Sequence, residues 1–122
     1  MTQTLNHHET SAIEQRLMRA AKKLKELAPL VGMAKTIKAY DGDRRKQILA
    51  VEVVKAMKNG AESATAAEHI ARASDEYAVQ FQATYDSLKE ANKTEAEWDA
   101  EFCAYETARS LLSFSKETLR QL

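Results

Sequence analysis

Residues that break helices are scarce in this chain: its 122 residues include three glycines and a single proline. Alanine, glutamate, lysine, leucine, arginine and glutamine are abundant instead, and they lose little rotamer freedom in a helix. The fold class this predicts is all-α. At this length the expectation is one domain over residues 1–122, a small helical bundle around one core.

The few breakers then place the helix ends. Thr2 to Glu9 is polar and without period, so residues 1–9 are expected to be disordered, and His7 and His8 fall there as a solvated pair. Thr10 or Ser11 can cap a first helix, in which Ile13, Leu17, Ala20, Leu24 and Leu27 recur by fours and threes. Pro29 lacks an amide hydrogen and should stop or kink that helix near Ala28. A short helix over residues 30–40 and a break at Asp41-Gly42-Asp43 follow. Residues 44–58 read as helix because Leu49, Val53, Val54 and Met57 share a face, whereas a strand would bury charge. Asn59-Gly60 supplies a stop, and Ser63 can cap what comes next.

From Ala64 to Ala91 there is neither Gly nor Pro, which predicts one long helix. Asn92-Lys93-Thr94 then reads as a turn, with Thr94 and Glu97 forming a capping box for a last helix over about residues 95–120. The expected bundle is therefore built on an antiparallel hairpin of helices 64–91 and 95–120, with two to three shorter N-terminal helices. Seven of the eight aromatic residues lie between Tyr77 and Phe114. Pairing outward from the turn would set Leu88 against Trp98, Tyr85 against Phe102 and Phe81 against Tyr105 as core layers. Beyond Tyr77 the layers thin, so Ile70, Ser74, Leu112 and Leu119 are the expected partner or dimer surface.

Charge is balanced overall but unevenly spread. Residues 1–60 carry twelve Lys/Arg against six Asp/Glu and residues 61–122 carry the reverse, so the halves stand at +6 and −6. Opposite halves attract within a monomer or head to tail between protomers, and salt weakens either arrangement. Arg16, Arg19 and Lys23 share a helix face, and Arg44, Arg45 and Lys46 stand at a helix start, so these six are the candidate polyanion contacts. A solvated or internally paired face is the competing and preferred reading of that basic half.

Motifs for chemistry are missing. No Glu stands three residues before a His as a di-iron bundle requires, and there is no Gly-rich phosphate loop, Cys/His ligand set or nucleophile elbow. Cys103 is the only cysteine, which rules out an intrachain disulfide, and His69 is expected to be a partly buried neutral imidazole. The acidic run Glu95, Glu97, Asp99 and Glu101 fits stabilisation of a helix N-terminus. A helix-turn-helix over residues 51–85 is set aside because Ser74-Asp75-Glu76 offers no glycine for a sharp bend. No stretch approaches the roughly 20 apolar residues a membrane span needs, and no secretory signal is visible at the start. A cytoplasmic protein that is not an enzyme, with no cofactor and no metal, is the expectation.

Trp98, then Tyr105-Glu106-Thr107-Ala108-Arg109-Ser110-Leu111-Leu112 and Lys116-Glu117-Thr118-Leu119-Arg120, resembles the C-terminal helices of small phage and mobile-element proteins. The resemblance covers about a fifth of the chain and implies an accessory protein that acts by binding. The sequence thus points to a protein-interaction module, expected to form a homodimer. A nucleic-acid accessory protein using the basic half is the alternative, and an inhibitor of a host nuclease or defence complex through the acidic hairpin is a third.

Overall fold

The computed structural model describes residues 7–121, and among them every regular element is helical. Helix α1 spans His7–Lys58, α2 spans Ala64–Ala73 and α3 spans Asp75–Gln121. The all-α expectation holds, but the helices end elsewhere than expected. Helix α1 begins at His7 rather than at Thr10 or Ser11, and of the residues expected to be disordered, 1–6 lie outside the described ones.

Helix α1 runs through Pro29 and through Asp41-Gly42-Asp43 without a break, so the separate short helices do not exist. Pro29 faces solvent while Leu27 and Val31 on either side of it are buried. Burying that inner seam outweighs the lost amide bond. At the second expected break Asp41 pairs with Arg45 one turn on, Oδ2 to Nε at 3.0 Å, which supports the helix it was expected to end.

Helix α3 likewise passes straight through Asn92-Lys93-Thr94, and the hairpin of helices 64–91 and 95–120 is therefore corrected to one continuous element. None of those three residues is forbidden in a helix, and their propensity cost is a few tenths of a kcal/mol each. Inward positions recur straight across the expected turn, with Ala91 buried and Thr94 and Trp98 half-buried. Phe81, Tyr85, Leu88, Trp98, Phe102 and Tyr105 lie along this one helix and so cannot stack as opposed layers.

The real interruption is at Ser74. Its backbone sits at φ −75 and ψ 148, an extended conformation open to any residue, so no glycine is needed. The hydroxyl donates to the Ala71 carbonyl at 2.8 Å and accepts from the Tyr77 amide at 3.1 Å, closing α2 and opening α3. Asp75 and Glu76 then fall in the first turn of α3, where negative charge is favoured.

The other turn follows expectation. Gly60 N–H bonds the Met57 carbonyl at 3.2 Å and Ala61 N–H bonds the Ala56 carbonyl at 3.1 Å, the paired contacts of a Schellman motif with Gly60 at φ 97. Ser63 Oγ accepts from Ala66 N–H at 3.1 Å and caps α2. Gly60→Ala is expected to cost about 1 kcal/mol, since a Cβ is disfavoured at positive φ although open space surrounds it. A urea titration that leaves the midpoint unchanged would contradict this.

The chain divides into two compact units, Met1–Gly32 with Thr94–Leu122, and Met33–Lys93. In the first, Thr10, Ile13, Leu17, Ala20, Leu24, Leu27 and Val31 of α1 are buried or half-buried, in unbroken three-four alternation. From α3 come Trp98, Glu101, Tyr105, Ala108, Leu112, Ser115 and Leu119 in the same rhythm. A repeat of 3.5 residues keeps one seam facing the partner helix, as in a coiled coil. Thr10 and Ser115 hydroxyls share a hydrogen bond of 2.7 Å across the seam, which fixes the two stretches as neighbours.

In the second unit Ala34, Glu52 and Ala56 of α1, Ala67 and Ala71 of α2, and Thr84 and Ala91 of α3 are buried. Arg44 donates to Ser87 Oγ at 3.4 Å, tying α1 to α3. Tyr77 and Phe81, one turn apart on α3, pack with ring centroids 5.8 Å apart. The fully buried residues of this unit are nearly all small, and Ile48, Leu49, Val53, Tyr77 and Leu88 are half-buried around them.

Candidate interaction surfaces

In the second unit Met33, Tyr40, Val51 and Val54 are each more than half exposed on α1, with Tyr40 at 64%. Ile37, Arg44 and Gln47 complete a stripe at three-four spacing from residue 33 to 54, parallel to the buried seam. Val79 on α3 is also exposed, at 66%. Isolated exposed apolar residues are ordinary, whereas four on one helix face, with Arg44 and Gln47 between them, form a candidate contact surface. A cleft of about 400 Å³ opens beside the stripe, lined by Arg44, Gln47, Val51, Lys55 and, from α3, Gln80.

That stripe was not among the expected sites. Of those that were, Ser74 is occupied in capping two helices, and Leu112 and Leu119 lie half-buried in the seam of the first unit. Ile70 is exposed on α2 in the second unit, beside a small cleft of about 150 Å³ shared with Lys55, Ala56 and Asn59. Ile70 and Ser74 thus belong to the second unit, and Leu112 and Leu119 to the first. Part of the signal was present: Met33, Ile37, Tyr40, Val51 and Val54 fall on one helix face, interrupted by Arg44 and Gln47.

The six expected basic contacts also separate. Arg45 is held by Asp41, and its guanidinium carbon lies 4.9 Å from the centre of the Phe81 ring, a cation–π contact. Its buried Nε is within ion-pair distance of Asp41 but not aligned for a hydrogen bond, so the attraction there is electrostatic. Arg44 is engaged with Ser87, and Lys46 is exposed.

Arg16, Arg19 and Lys23, by contrast, stand together along a groove of about 550 Å³ in the first unit. Its apolar lining is Ala20, Ala104, Ala108 and Leu111, and Glu101 and Thr107 complete it. Five of the seven arginines are engaged within the chain, with Ser87, Asp41, Glu68, Glu106 and Glu117. Among the described residues Arg16 and Arg19 have no hydrogen bond or ion pair, and both line this groove.

Other titratable groups form no constellation. Glu52 is buried with its carboxylate 3.1 Å from Lys55 Nζ, a pair internal to α1. His69 is exposed rather than partly buried, because it lies on the side of α2 away from Ala67 and Ala71. Cys103 is exposed. Among the described residues no three His, Cys, Asp or Glu side chains are gathered to hold a metal ion, and no helix is long and apolar enough to cross a membrane. No protein-family model, curated protein or solved structure matches this chain.

Proposed function

We propose that the protein works by binding rather than by catalysis, as a helical interaction module that associates with a second copy of itself. One observation carries this reading: Met33, Tyr40, Val51 and Val54 are each more than half exposed along one face of α1. Covering a large apolar side chain is worth about 1.5–3 kcal/mol, so a helical partner laid along the stripe would gain substantially. The seven-residue repeat of the buried seam supports the same idea, because a second stripe beside the first is how helix pairs assemble into larger bundles.

Light scattering coupled to gel filtration should give twice the chain mass at micromolar concentration. Tyr40→Glu with Val51→Glu should return the protein to a monomer while its helical circular dichroism persists. A wild-type monomer in both low and high salt would defeat the proposal. The setting we propose is the cytoplasm, where a single exposed Cys103 would stay reduced. An accessory role of the phage or mobile-element kind rests on the resemblance of residues 98–120 alone. A gene lying outside any such element would remove it.

A further inference from the structure

The groove of the first unit is charged and unfilled, and its chemistry describes what would fill it. Arg16, Arg19 and Lys23 follow one another at three and four residues, covering about 10 Å of one helix face. Beneath them Ala104 and Leu111 are exposed, with Ala20 and Ala108 buried at the base of the groove. A fitting occupant carries small apolar residues and then carboxylates at the same helical spacing. A nucleic-acid backbone fits less well, since it gives the apolar part of the groove nothing to contact.

The chain itself contains such a stripe. On α3 of the second unit Val79, Ala83, Asp86 and Glu90 are spaced by four, three and four. Val79, Asp86 and Glu90 are exposed and Ala83 is half-buried. Asp86 receives a hydrogen bond from Gln82 of its own helix at 3.0 Å, and Glu90 has no hydrogen bond or ion pair among the described residues. The +6 and −6 halves of the sequence are thereby resolved into particular side chains: unpaired cations along a groove, and carboxylates on an exposed stripe.

Resting on the self-association proposed above, we infer that, in addition to the contact along the Met33 to Val54 stripe, the Arg16, Arg19 and Lys23 groove of one protomer receives the Val79 to Glu90 stripe of a second copy. Each protomer offers both surfaces, one in each unit. Ionic pairs at the groove rim set register, and the exposed Ala104 and Leu111 supply apolar contact. Association should weaken as salt rises, because rim pairs are screened.

Charge exchange tests the pairing. Arg19→Glu with Lys23→Glu leaves a protomer acidic at both surfaces, and Asp86→Lys with Glu90→Lys leaves one basic at both. Each double variant should dimerise roughly tenfold more weakly than wild type at low salt by sedimentation equilibrium. Mixed in equal amounts they should form a heterodimer, and the quadruple variant should dimerise again. Circular dichroism checks that all remain folded. If wild type and both variants dimerise equally, the groove is not the interface and self-association through the Met33 to Val54 stripe survives. If wild type is monomeric throughout, both proposals fall. Weakened variants that neither mixing nor combination restores would overturn the pairing of these two surfaces. Tight binding of a short DNA duplex to wild type, lost in Arg19→Glu with Lys23→Glu, would assign the groove to a polyanion instead.

Discussion

Replacing Pro29 with alanine is expected to stabilise the protein by about 3 kcal/mol, the cost of proline inside a helix. Helix α1 continues on both sides of this residue, so the Lys25 carbonyl lacks the amide that would complete its turn, and the pyrrolidine ring crowds that carbonyl. Pro29 is exposed, so alanine gives up little packing in exchange. Urea unfolding at fixed protein concentration should show a higher midpoint, concentration being held because self-association also stabilises. An unchanged or lower midpoint would mean that α1 is not continuous through residue 29 in solution.

Ser115→Ala is expected to cost about 2 kcal/mol, although only one oxygen is removed. Ser115 is fully buried and Thr10 nearly so, and their hydroxyls are 2.7 Å apart. Removing one partner strands the other where water does not reach it. Thr10→Val together with Ser115→Ala removes both polar groups and should come back to within a fraction of a kcal/mol of wild type. The double-mutant cycle is the decisive measurement: additive losses would show that the two hydroxyls do not depend on each other.

Fold class was legible in the composition, and the inward seam of α1 was legible in Ile13, Leu17, Ala20, Leu24 and Leu27, all buried or half-buried. So were the Gly60 stop and the Ser63 cap, because a positive φ and an N-cap each demand a narrow set of residues. The other breaks were misjudged for one common reason. Pro29, Asp41-Gly42-Asp43 and Asn92-Lys93-Thr94 are local preferences of a few kcal/mol at most, and the neighbouring seam residues carry more. Ser74 was misjudged in the opposite sense, since a serine can bend a chain at ordinary dihedral angles by lending its hydroxyl to both helices.

The candidate surfaces were half legible. Arg16, Arg19 and Lys23 could be placed on one face by spacing alone, and that face lines a groove. Arg44 and Arg45 could not be discounted from sequence, because their partners Ser87 and Phe81 are about 40 residues away along the chain. The Met33 to Val54 stripe was overlooked because the break expected at Asp41-Gly42-Asp43 cut it in two.

The division of the chain has a consequence for the order in which it can assemble. Met33–Lys93 is one uninterrupted segment, whereas the other unit is assembled from two stretches that it separates, Met1–Gly32 and Thr94–Leu122. Closing the intervening 61 residues as a flexible loop would cost roughly 3–4 kcal/mol of chain entropy. Folding of the middle segment removes most of its freedom and with it much of that cost. The middle of the chain, whose contacts lie within one stretch, should therefore form before the contact between Thr10 and Ser115.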